Sequence, residues 1–179
     1  TRRPGLKALM RRARISLDDP LSAEDVAFRI APRLNAPGRM GCAMPAFRLL
    51  VEDNEVGADA LADQVESLQL ARRAAQESIV EQAEQDILEQ GYAEEPAIVV
   101  GRRDWNVGIV GIVAGRLADK FRCPVVVYGG DGDIGRGSVR GPANANLHAL
   151  VAASSHCLLR YGGHEAAAGI EVALSRISE

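Results

Sequence analysis

From about Asp53 to Gln90 the chain carries one helical pattern with no proline in it. Leu61, Val65, Leu68, Ala75, Ile79, Ala83 and Ile87 recur at intervals of three, four or seven, the spacing that aligns side chains on one face of an α-helix. Gly91 is a natural stop, because glycine readily takes the left-handed conformation that ends a helix. At ~1.5 Å per residue such a helix would reach about 55 Å, long for a compact domain within 179 residues. It reads as a connector over residues 51–92 that joins two lobes, residues 1–50 and 93–179.

The first lobe looks helical up to about residue 30, with turn signals. Leu6, Leu9 and Met10 form an apolar stripe, Asp18-Asp19-Pro20 is a break, and Ser22 is an N-cap with Asp25 in a capping-box position. Residues 31–45 hold three prolines and two glycines and are expected to form an irregular loop. After Gly91 the periodicity changes. Ala97-Ile98-Val99-Val100 and Pro124-Val125-Val126-Val127-Tyr128 read as strands, and residues 105–121 between them as a helix. A turn from Gly129 to Gly132, a strand from Ile134 to Arg140, a helix from Asn146 to about Arg160 and a strand from Ala166 to Leu174 complete the pattern. This alternation predicts the α/β class: a small domain with a mixed sheet and flanking helices, behind a long connector helix.

The net charge is −3, so any nucleic-acid binding must come from local placement of charge rather than from a dominant basic surface. Lys7 and Lys120 are the only lysines; the other cations are arginines, which suit bidentate phosphate contacts. A GC-rich genome would produce the same skew. Cys42, Cys123 and Cys157 include no C-x-x-C pair, which points to small buried thiols in a reducing, cytoplasmic setting without structural zinc. No run approaches the ~18 apolar residues of a membrane span, and no signal peptide is visible. The chain opens on Thr1 and closes on Ser178-Glu179 soon after a strand-like run, so it reads as a piece of a longer protein.

Four segments could carry chemistry. In Tyr161-Gly162-Gly163-His164 the paired glycines allow positive φ or close approach of a ligand, and His164 at the end of a tight turn could donate to a phosphate oxygen or act as acid or base. A plain turn with a surface histidine would look the same. In Gly135-Arg136-Gly137-Ser138-Val139-Arg140 a strand puts Arg136, Ser138 and Arg140 on one face, a phosphate cradle or a solvated row of arginines. Pro32-Arg33-Leu34-Asn35-Ala36-Pro37-Gly38-Arg39 offers two arginines and an asparagine in a stiffened segment, either a binding element or a linker. Gly108, Gly111 and Gly115 would share a helical face and are read as close packing on the sheet; Trp105 could stack on a base or cap the core. His148 and His156 stand eight apart on the predicted helix, too far to share a metal, and no Asp/His cluster could hold two divalent ions.

In their order along the chain these segments resemble RecJ-type members of the DHH phosphoesterase superfamily. Residues 32–39 look like that family's P-R-x-N-A-x-G-R loop, residues 105–117 like its W-x-x-G-x-x-G-I-V-A-x-R-L helix, Gly137-Ser138-Val139-Arg140 like its G-S-x-R strand, and Gly162-Gly163-His164 with Ala167-Ala168-Gly169 like its G-G-H-x-x-A-A-G signature. The resemblance implies a metal-dependent 5′–3′ single-stranded DNA exonuclease of repair and recombination. It also implies a DHH domain holding two divalent ions, manganese or magnesium, of which residues 1–50 are the C-terminal remnant, and a substrate-gripping DHHA1 domain at residues 93–179. His164 would contact the scissile phosphate. Ser138 and Arg140 would hold a phosphate of the strand, with Gly162 and Gly163 beside it. Arg33, Asn35 and Arg39 would contact the strand or line the cleft. Gly141 stands where the family often has serine and Asn106 where it often has histidine. With no metal-ligand motif in the chain, the fragment is expected to be inactive alone and to carry no cofactor of its own. The alternatives are a phosphodiesterase of short oligonucleotides or cyclic dinucleotides, and a non-catalytic binding module.

Overall fold

The computed structural model describes residues 3–130 and 132–177, and the chain divides into two compact units, Thr1–Ala74 and Ala75–Glu179. The division falls inside the long helix, so each unit uses one half of it.

The first unit is helical. Helix α1 (Pro4–Arg12) starts with proline in its first turn, where no backbone N–H is needed. It buries Ala8, Leu9 and Met10 against Leu49 of α3 (Met44–Val51) and against Ala58, Ala62 and Val65 of α4 (Glu55–Glu89). Arg12 bonds both Asp59 and Asp63, and Arg11 bonds Asp59, fastening α1 to α4. The expected capping box at Ser22 forms: the Asp25 N–H donates to Ser22 Oγ at 3.0 Å, and the Ser22 hydroxyl donates to the Asp25 carboxylate at 2.7 Å. A π-helix from Asp25 to Ile30 then runs into α2 (Ala31–Arg39).

That helix corrects the loop expected over residues 31–45. Pro32 lies in its first turn, and Pro37, although interior, is buried with Ala36. Proline removes one N–H from a helix, but the last turn is still held by Met40 N–H to the Ala36 carbonyl. Burial of Ala36 and Pro37 outweighs the lost bond.

Helix α4 matches the helical pattern expected from Asp53 to Gln90 to within two residues at its start and one at its end, and Gly91 follows with φ +71. In the second unit its Ile79, Val80, Ala83 and Ile87 are buried. The sheet there has the order β1-β2-β3-β5-β4, built from β1 (Ile98–Gly101), β2 (Val125–Gly129), β3 (Ile134–Arg140), β4 (Arg160–His164) and β5 (Ala167–Ala173). Only β1 and β2 run parallel, joined through α5 (Val110–Phe121); the other pairings are antiparallel. Helix α5 lies on the face carrying Ser138, while α6 (Leu147–Ala153) buries Leu147 and Val151 against Val139, Ala168, Ile170 and Val172 on the opposite face. This is the mixed α/β architecture expected.

Several boundaries moved. The helix predicted over 105–121 begins at Val110, so Gly108 precedes it and the three glycines do not share a helical face. The helix predicted to Arg160 ends at Ala153, followed by a 3-10 turn at Ser155–Cys157, and His156 lies in that turn rather than on α6. Gly162-Gly163-His164 is a strand instead of a tight turn. The Gly129–Gly132 turn includes Asp131, which lies outside the described residues. Of the three free cysteines only Cys123 is buried, against the expectation of buried thiols. Among the described residues no helix is long and apolar enough to cross a membrane.

Candidate nucleic-acid interface

The register of the sheet brings the predicted residues into rows. Ser138 pairs with Gly169, and Gly169 with Gly162, so these three form one row across β3, β5 and β4. Arg136, Glu171 and Arg160 form a second row two residues along. Because side chains alternate along a strand, both rows share a face with Arg140 and His164. Arg140 and His164 stand at the far end, on either side of β5, where His164 pairs with Ala167.

Arg140 Nη1 donates to Ser138 Oγ at 2.8 Å and to the Val139 carbonyl at 2.7 Å. The serine hydroxyl accepts that bond and keeps its own proton to donate. A guanidinium and a hydroxyl held side by side suit an anionic oxygen. Helix α5 closes over them at Gly111: a Cβ there would lie 3.1 Å from Ser138 Oγ and 3.5 Å from Arg140 Nη2. Packing therefore explains Gly111. It does not explain Gly115, where a Cβ would meet nothing within 4 Å.

The paired glycines of β4 differ from each other. Gly163 has φ +148, and a Cβ on it would lie 2.5 Å from the Ala168 Cα, so the strand pairing itself requires glycine. Gly162 faces open space. His164 is exposed and lines a shallow depression with Asn146, His148 and Glu165.

The N-terminal candidates lie in the first unit, on α2. Arg33 makes a two-pronged ion pair with Glu66 of α4 (Nε at 2.6 Å and Nη2 at 3.1 Å) and donates from Nη1 to the Arg29 carbonyl. With its side chain 15% exposed, its guanidinium is committed to the packing of α2 on α4. Asn35 and Arg39 are exposed. Trp105, a candidate for base stacking, is buried and donates from Nε1 to Gln82 at 3.0 Å, which makes it a core residue. Asn106 Oδ1 accepts the Gly108 N–H at 2.8 Å, so that side chain shapes the turn into α5.

Two features escaped the sequence reading. Arg160, Glu171 and Gly169 belong to the same face as Ser138, which only the register reveals. Gln69 and Arg72 are the two buried polar side chains among the described residues, with Arg72 Nε donating to Gln69 Oε1 at 3.1 Å. Burial, and then the nearby charges of Arg73 and Arg39, push the Arg72 guanidinium below its ordinary pKa. The signal was present: the apolar stripe of α4 skips from Leu68 to Ala75, and Arg72 fills the gap. No three His, Cys, Asp or Glu groups converge as metal ligands among the described residues.

Comparison with known proteins agrees with this geometry. The DHHA1 domain profile matches residues 94–179. The single-stranded-DNA-specific exonuclease RecJ of Bacillus subtilis (strain 168) is 36% identical over 172 residues, covering 95% of this chain and 22% of that protein. Its counterpart in Thermus thermophilus is 37% identical over 147 residues, covering 82% of this chain and 21% of that protein. The chain thus spans roughly a fifth of the length of these relatives. The crystal structure of RecJ in complex with Mg2+ from Thermus thermophilus superposes with a TM-score of 0.87 at 32% identity, over 98% of this chain and 27% of that one. An exonuclease RecJ structure bound to manganese gives 0.82 at 32% identity, over 98% of this chain and 43% of that one. With its DHHA1 domain, its sheet and its long helix all matched, the chain belongs to the RecJ family.

Proposed function

We propose that this chain is the nucleic-acid-gripping portion of a 5′–3′ single-stranded DNA exonuclease that acts in repair and recombination in the cytoplasm. The observation that carries this reading is the Ser138–Arg140 pair, hydrogen-bonded at 2.8 Å and roofed by Gly111 of α5. The pair presents a hydroxyl proton and a fixed positive charge to one phosphate oxygen. His164, at the same end of the sheet, would contact the scissile phosphate and offset the charge that develops on it. Gly162 leaves the surface beside them bare, and Gly163 sets the strand that carries His164. Arg39 and Asn35 would meet the strand from the first unit, with Arg33 holding their helix in place.

The reaction class is phosphodiester hydrolysis, which the relatives' names and their Mg2+- and Mn2+-bound structures support. The described residues offer no ligand set for those ions, so in this reading they are held by a longer parent protein, in a DHH domain that residues 1–50 help to complete. The exposed apolar side chains of the first unit, Phe28, Phe47 and Val51, suit faces covered by that domain. Residues 51–92 then connect the two lobes, residues 93–179 form the grip, and the chain by itself does not cleave.

The test is binding of 5′-phosphorylated single-stranded DNA across a salt series. Affinity that falls with salt, and drops in Arg140→Ala and His164→Ala, is the expected result. Binding indifferent to both substitutions would sink the assignment.

A further inference from the structure

Beyond the phosphate grip, and resting on that reading, the glycine row and the charged row next to it form one more piece of built surface. Glycine inside a strand weakens it, and usually marks a bulge, a required positive φ or the close approach of another backbone or ligand. Gly162 and Gly169 are direct cross-strand partners in an unbulged register. Neither has a positive φ. A Cβ on Gly162 would meet nothing within 4 Å, and one on Gly169 only the Gly137 carbonyl at 3.7 Å, an ordinary contact. Fold geometry requires neither glycine, and together they leave bare peptide on this face of the sheet.

What lies on the far side of that bare floor is charged. Arg136, Glu171 and Arg160 are register partners across β3, β5 and β4. Glu171 is paired with Arg136 at 3.1 Å. Arg160 is exposed, so the row presents two cations and one carboxylate. Arg136, Arg160, Glu171, Gly162 and Gly169 line one open depression of about 440 Å³. Ser138 and Arg160 stand two residues apart along the strands, about 7 Å at ~3.4 Å per residue, and two strands apart across β5, about 10 Å at ~4.8 Å per strand, so roughly 12 Å separates them. That is wider than the step between consecutive phosphates, so a single nucleotide does not touch both ends.

We infer that Arg160, with Arg136 held by Glu171, is a second phosphate subsite of the same trough. A single strand of several linked nucleotides would lie with its sugar–phosphate backbone against the peptide of Gly162 and Gly169. One phosphate would sit at Ser138 and Arg140, and a later one at Arg160. This assigns the trough to a linear polynucleotide in preference to a mononucleotide or a cyclic dinucleotide, which would fill only one end.

The experiment measures binding by the 179-residue chain of a fluorescent 5′-phosphorylated thymidine decamer over a salt series, and competition by the 5′-phosphorylated thymidine dinucleotide. Wild type is compared with Arg160→Ala, Gly162→Ala and Arg140→Ala, each checked for fold by circular dichroism. Arg160→Ala is expected to reduce the slope of log affinity against log salt by about 0.7, the contribution of one phosphate contact on a single strand, and to leave dinucleotide competition unchanged. Gly162→Ala is expected to weaken the decamer while keeping the fold, and Arg140→Ala to weaken both ligands. A decamer slope unchanged in Arg160→Ala, with Arg140→Ala still damaging, would reject the second subsite alone. Equal loss of both ligands in Arg160→Ala would reject the length dependence. Absence of decamer binding by wild type would overturn the phosphate-grip reading and this inference with it.

Discussion

A methyl group added at Gly163 would run into the carbonyl oxygen of Ala167, whereas one added at Gly162 would meet open space. Gly163→Ala is therefore expected to lose about 1–3 kcal/mol, the range for a strained backbone conformation. Gly162→Ala should stay within about 0.5 kcal/mol of wild type. Denaturant unfolding of the two variants separates these outcomes. Arg33→Ala breaks a charged, largely buried set of hydrogen bonds and should cost about 2 kcal/mol. The sequence motifs do not separate these residues. The difference lies in what each backbone position faces, which residue identity does not encode.

At the level of elements, strands with buried faces were legible and the exposed edge strand was not. Strand β3 occupies the span predicted for it, Ile134–Arg140, and β2 falls within a residue of its prediction: an unbroken valine run marks β2, and both strands bury one face. All five residues of β4 are exposed, so no period of two marks it, and its glycines read as a turn. The helical pattern of α6 extends past its true end at Ala153 for a related reason: Ser154 and Ser155 end it without a glycine or proline to announce the stop. Its start was clear, since Asn146 Oδ1 accepts the Ala149 N–H at 2.9 Å. Asn146→Ala should cost about 1 kcal/mol, the usual value of an N-cap, measured as a shift in the urea midpoint. Conversely, α2 was hidden by its prolines, which propensity penalises and tertiary burial tolerates.

The whole chain is best cut inside α4 rather than at the edge of the DHHA1 profile. Trp105 donates to Gln82, Arg102 pairs with Asp86, and Lys120 pairs with Glu84. All three partners precede residue 94. A fragment of residues 75–179 is expected to fold on its own, and one of residues 94–179 to lose cooperative melting because the buried Trp105 edge is left without its helix. Calorimetry of the two fragments checks this. The first unit should be the acid-sensitive one. Hydrogen bonds from Arg11 and then Arg12 hold the Asp59 carboxyl below its usual range, and Arg12 does the same for Asp63. A depressed folded pKa gives stability that is present above the unfolded value of about 4 and lost as pH falls through the folded value. The melting temperature of wild type is thus expected to drop between pH 5 and pH 3 (about one unit either side of that value), and that of Asp59→Asn to drop less.

By itself the sequence determined the class of fold, the long helix and its glycine stop, and the grouping of Ser138 with Arg140. These depend on local periodicity, and two residues apart on a strand is a local distance. Only the tertiary structure decided that Gly162, Gly169 and Ser138 form one row, that Arg160 joins that face, and that Arg33 is spent on Glu66. Those facts follow from strand register and helix packing between residues far apart in sequence, where no local pattern carries the information.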